Sequence, residues 1–141
     1  MMKLVGMMLC AALLAVLPGC GGDAPKAQAN AEPGMVDVAA MNTAMAFSTT
    51  ENIRNHPEAF AGQRIRIRGR ITVERDKQNV QRFYVNVCDS NGCCNAFVEF
   101  RARAGGDAPK EYWDSLNNYA TLTGTLERGS RALLLVDEFK Q

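Results

Sequence analysis

The stretch from Arg82 to Phe100 restricts the possible folds more than any other part of the chain. Two alternating runs flank Asp89-Ser90-Asn91-Gly92, a turn cluster that ends in Asn-Gly. Asn-Gly is the preferred dipeptide of tight β-hairpins. If Cys88 lies opposite Cys93 across a four-residue loop, Val87 faces Cys94, Val85 faces Ala96 and Phe83 faces Val98. That face is wholly apolar. The other face pairs Cys88 with Cys93, Asn86 with Asn95, Tyr84 with Phe97 and Arg82 with Glu99. A slip of one residue would send every side chain to the wrong face, so the pattern demands a half-buried hairpin.

Period-2 alternation recurs on both sides of this hairpin. From Gln63 to Glu74, Ile65, Ile67, Ile71 and Val73 fall on one face, and Arg64, Arg66, Arg68, Arg70 and Thr72 on the other. Gly69 stands where an apolar side chain belongs, which predicts a bulge or sharp bend. A strand that bends there can pair with two different neighbours. Tyr119 to Glu127 alternates again, and Arg128-Gly129-Ser130 turns into the apolar run Leu133-Leu134-Leu135-Val136. Thr49 and Thr50 precede Glu51 to Asn55, a short helical turn with a threonine N-cap that His56-Pro57 stops. Pro109 to Trp113 opens a second short helix on which Tyr112 and Trp113 pack against the sheet.

The resulting order is strand, strand, strand, helix, strand, strand. It resembles the OB-fold, a five-stranded Greek-key barrel with its helix between the third and fourth strands. The segment Gly62-Gln63-Arg64-Ile65-Arg66-Ile67-Arg68-Gly69, after Pro57-Glu58-Ala59-Phe60, is similar to the start of many bacterial OB-type domains. Cys93-Cys94 followed by Val98-Glu99-Phe100 is similar to a pattern in small exported OB proteins. The expected class is therefore mainly β, with the domain over residues 48–141. An SH3-like barrel also has five short strands, but the helix position disfavours it.

Residues 1–19 read as an export signal: Lys3 in a short basic start, then Leu4 to Leu17, apolar except for Gly6. Such a run is too short to span a bilayer. Leu17-Pro18-Gly19-Cys20 resembles the lipobox of bacterial lipoproteins. The resemblance implies that Cys20 is acylated, palmitate included, and becomes the mature N-terminus. The competing reading is an ordinary secretory signal beside an accidental cysteine. Gly21, rather than Asp, after the cysteine implies the periplasmic face of an outer membrane in a Gram-negative cell. Residues 20–47 form the expected lipidated tether. Its first part, through Gly34, lacks any large apolar side chain. Met35 to Phe47, with Val36, Val38, Met41 and Met45, can dock on the domain as a helix or a strand.

Removal of the signal changes the charge. The whole chain carries 16 basic and 15 acidic residues; the signal takes Lys3 with it, so the mature chain is balanced. A balanced chain in an export compartment argues against a nucleic-acid partner. The single histidine, His56, excludes His-rich metal centres and reads as a surface residue at a helix end. No P-loop, H-E-x-x-H, G-x-S-x-G or dinucleotide fingerprint occurs, so no cofactor and no enzymatic activity are expected.

Two functional classes remain. The favoured one is a lipid-anchored envelope binding module that contacts a glycan or protein through the hairpin's polar face: Arg82, Tyr84, Asn86, Asn95 and Phe97. The alternative is a thiol-redox or soft-metal protein using Cys88, Cys93 and Cys94. Exported thiols are usually oxidised. The expected register therefore makes a Cys88–Cys93 disulfide across the hairpin, with Cys94 buried as a small hydrophobe.

Overall fold

The computed structural model describes residues 34–141. The export signal, Cys20 and the first half of the expected tether lie outside the described residues. The fold is mainly β, with a six-stranded sheet that curves into a ring. In chain order its elements are β1 (Met35–Asp37), a 3-10 turn (Val38–Ala40), α1 (Thr43–Asn55), α2 (Pro57–Phe60), β2 (Arg64–Arg75), β3 (Gln81–Cys88), β4 (Asn95–Ala102), α3 (Lys110–Asp114), β5 (Tyr119–Leu126) and β6 (Leu133–Lys140).

The ring closes because β2 serves two partners. Residues Arg64 to Arg70 pair antiparallel with β5, and Arg70 to Arg75 pair antiparallel with β3. The ladder continues from β3 to β4 and, in parallel, from β4 to β6, which returns to β5. Five expected strands become six because Met35–Asp37 pairs in parallel with the start of β2. Since β5 holds one edge of Arg64–Arg66, β1 occupies the edge that β3 does not reach. It thereby covers backbone groups that would otherwise be unpaired. The side chain of Asp37, almost fully buried, meets Arg66 at 3.3 Å.

No bulge occurs at Gly69: the ladder to β5 runs unbroken through Gly69 and Ala120. The glycine is needed for a different reason. A Cβ there would sit inside contact distance of the Asn86 carbonyl oxygen and 2.8 Å from Val85 Cγ2. β3 begins to pair with β2 at this point, and only a hydrogen leaves room. The sheet's one register shift lies instead between Thr123 and Gly124 in β5.

Helix α1 is longer than the expected turn and starts earlier. Its N-cap is Asn42, whose side chain accepts from the Met45 N–H at 3.0 Å. Thr50 is no cap: it is fully buried mid-helix, and its hydroxyl donates to the Ala46 carbonyl at 2.7 Å. Ala46, Thr50 and Ile53 form the buried row, at the spacing that keeps one helical face on the core. No helix among the described residues is long and apolar enough to cross a membrane.

The apolar faces meet inside the ring. Ile65, Ile67, Ile71, Val85, Leu122 and Leu134 are each at most 2% exposed. An aromatic cluster closes the end beneath α3. Tyr112 lies 5.0 Å from Phe100, 5.7 Å from Phe83 and 4.8 Å from Phe139 between ring centres. Trp113 stands edge-on to Phe83 at 4.9 Å. Burial pushes the Tyr112 phenol up to about 12, whereas in an unfolded chain it ionises near 10. The stabilisation is therefore complete below pH 10 and is lost as pH rises towards 12. Chemical denaturation should show stability falling by at most about 3 kcal/mol across that window. Tyr112→Phe should flatten most of the fall. Tyr84, raised chiefly by burial, accounts for a smaller remainder.

Candidate functional site

The hairpin keeps its expected faces but not its expected register. Phe83 pairs with Phe100, Val85 with Val98 and Val87 with Ala96 inside; Tyr84 pairs with Glu99, Asn86 with Phe97 and Cys88 with Asn95 outside. β4 is displaced by two residues relative to the expected pairing. Parity is preserved, so the apolar face stays inside. The cause lies in the turn. Asp89 N–H donates to the Cys94 carbonyl at 3.0 Å, so Asp89 and Cys94, not Cys88 and Cys93, close the loop. Gly92 N–H donates to the Asp89 carbonyl at 3.1 Å, with Gly92 at φ 70°. The Asp89 carboxylate then accepts the N–H groups of Cys93 (3.0 Å) and Cys94 (3.2 Å) on Oδ1. These bonds, the Cys94 N–H foremost, hold its carboxyl below the usual range.

This register overturns the expected Cys88–Cys93 disulfide. All three described cysteines are free thiols. Cys88 donates to Asn95 Oδ1 at 2.9 Å. Cys94 is exposed, not buried, because it lies past the end of the apolar ladder. Cys93 and Cys94 come together instead, with sulfurs 3.7 Å apart and Asp89 Oδ2 3.3 Å from Cys93 Sγ. Asp89, followed by Cys94, pushes the Cys93 thiol up to about 11. Thiolates, not thiols, carry disulfide exchange, so this environment disfavours a redox nucleophile.

The five binding-face residues fall into two groups. Tyr84, Asn86, Asn95 and Phe97 share an outer patch. Phe97 is 39% exposed and stands edge-on to Tyr84 at 5.5 Å. Its contact is diagonal across the ladder, within reach for aromatic side chains. The Arg54 guanidinium of α1 sits 4.9 Å from the Phe97 ring centre, a cation–π arrangement. Asn86 donates to Thr72 Oγ1 at 2.7 Å, which fixes its amide.

Arg82 belongs to a neighbouring cleft of about 560 Å³ whose walls include Val80, Glu99, Asp107, Trp113 and Arg131. Its guanidinium is held by Asp76 at 2.8 Å and Glu99 at 3.0 Å. Glu99 also meets Arg131 at 3.3 Å. Asp76 in turn ties down the β2–β3 loop by accepting the Gln78 and Val80 N–H groups, each at 2.9 Å. Those bonds, Val80 first, lower its carboxyl below the usual range. The cleft thus has rigid polar walls and two exposed apolar surfaces, Val80 and Trp113.

Sequence reasoning missed Asp76 and Asp89. Both open loops in which a carboxylate can bond N–H groups two to five residues ahead, the Asx-turn habit that was the available signal. His56 is exposed at the end of α1, as expected. The chain matches no family model, no curated protein and no solved structure.

Proposed function

We propose that the protein is a non-enzymatic binding module of the cell envelope. Acylated Cys20 anchors it to the periplasmic face of an outer membrane, and the ring is an OB-type barrel extended by β1. Three features support the barrel assignment: the closed ladder order, the parallel β4–β6 pairing and the position of α3 between β4 and β5. OB barrels bind on the face of their second and third strands, between the loops that follow the first and fourth. Here those strands are β3 and β4, and the loops supply Val80 and Arg131 to the cleft.

The observation that carries the reading is the exposed Phe97 ring on Tyr84, on the same β3–β4 hairpin that lines this cleft. Aromatic faces beside fixed amides suit an envelope glycan or a protein partner. Both are tested by cosedimentation with purified cell-wall glycan and by cross-linking to envelope proteins in cells. A central aromatic contact is worth about 2 kcal/mol, roughly thirty-fold in affinity. Phe97→Ala and Tyr84→Ala should each weaken one of these associations by about that factor, and Cys94→Ser should leave it unchanged. Equal association by all variants, or none by the native protein, overturns the reading.

A further inference from the structure

We propose that Asp89, Cys93 and Cys94 form a binding site for a thiophilic divalent ion of the zinc class. The site is independent of the β3–β4 binding face. In a regular strand, adjacent cysteines point to opposite sides. Here Cys93 is still in the loop, after Gly92 in its left-handed conformation, and the two thiols converge. The carboxylate divides its work between its oxygens. Oδ1 is fixed by the Cys93 and Cys94 N–H groups, and Oδ2 is directed at Cys93 Sγ.

The spacings fit one ion. Zinc binds thiolate sulfur at about 2.3 Å and carboxylate oxygen at about 2.0–2.2 Å in tetrahedral geometry. Two such sulfurs lie about 3.8 Å apart, and a sulfur and an oxygen about 3.6 Å apart, at the tetrahedral angle. The observed separations are 3.7 Å and 3.3 Å. All three donor atoms lie within 4.8 Å of one another. Cys88 is not part of the set, because its thiol is engaged with Asn95. Both cysteines are exposed, so the ion has an approach from solvent and its fourth position faces water or a partner's donor.

Binding replaces two thiol protons, which pass to solvent. Two zinc–sulfur bonds and one zinc–oxygen bond form, and no redox change occurs. The test uses the full chain in detergent under a non-chelating reductant, with Cys10→Ser and Cys20→Ser to leave only the three described thiols. Zinc, titrated against a chromophoric chelator, should bind one ion per chain and release two protons. Cadmium should give a thiolate-to-metal ultraviolet band. Cys93→Ser and Cys94→Ser should each weaken zinc binding at least a hundred-fold. Asp89→Asn, whose amide oxygen can still accept the two N–H groups, should weaken it about ten-fold with unchanged melting. Zinc should protect Cys93 and Cys94 from alkylation and leave the modification rate of Cys88 unaltered. The site is refuted if zinc does not bind the reduced chain. It is equally refuted if binding survives the double cysteine variant, requires Cys88, or joins two chains through one ion.

Discussion

Gly69→Ala should destabilise the protein by about 3 kcal/mol or more, at the upper end of what overpacking costs. The added methyl meets the backbone of β3, at the Asn86 carbonyl, and the side chain of Val85, which is fully buried. Neither can give way cheaply. Moving Asn86 disturbs its pairing with both Arg70 and Phe97, so the strain reaches β2 and β4 together. In a domain of this size about 3 kcal/mol corresponds to a fall in Tm of roughly 12–24 °C. Gly129→Ala is the matched control. A methyl there has open space around it, and the residue lies outside the left-handed region. Its effect should stay within about 0.5 kcal/mol. Thermal melts of the two variants decide the matter: equal stability would show that β3 is not pressed against β2 at Gly69.

That position also illustrates what a single sequence can reveal. A glycine in an apolar register flagged a special site and a strand with two partners, and both are present. The reason, close approach rather than a bulge, depends on where β3 lies, which no local pattern encodes. The hairpin follows the same logic. Alternation fixes parity, so Phe83, Val85, Val87, Ala96 and Val98 were placed on the buried side, and only Cys94, past the end of the ladder, was misplaced. Alternation is silent between registers two residues apart, and there the Asp89 side chain decides. Arg82–Glu99 and Tyr84–Phe97 survive as diagonal contacts because long and aromatic side chains span that offset.

Helix α1 was legible only at its end. Its buried row is Ala46, Thr50 and Ile53, two of them small or polar, so its apolar stripe is weak. Threonine there reads as a cap when taken alone. Once buried, it satisfies its hydroxyl on the carbonyl four residues back. The basic row of β2 also changes meaning in three dimensions. Arg64 meets Asp137 at 2.9 Å and Arg66 meets Asp37, acids distant in sequence that neutralise much of the row. The thiol cluster was hidden for the same reason as the register: two adjacent cysteines converge only if the first is still in the loop.

The proposed anchor at Cys20 predicts the largest effect of all. When residues 1–19 are exchanged for an ordinary leader cleaved before residue 20, Cys20→Ser should move the protein from the membrane pellet to the soluble fraction. The size follows from the lipid. One acyl chain gives only marginal, reversible binding, with an association constant of about 10⁴ M⁻¹, and stable anchoring needs a second signal. In a lipoprotein that second signal is another chain on the same cysteine. No helix in the described residues is long and apolar enough to cross a membrane in its place. Net charge offers no strong electrostatic substitute either: the whole chain carries 16 basic and 15 acidic residues. Partition should therefore change by at least about a hundred-fold. Intact mass supplies an independent readout, with acyl chains on the native protein and none on the variant. A native protein without acyl mass, or a variant that sediments as the native protein does, would remove the anchor from the proposal and leave the β3–β4 binding face to be judged alone.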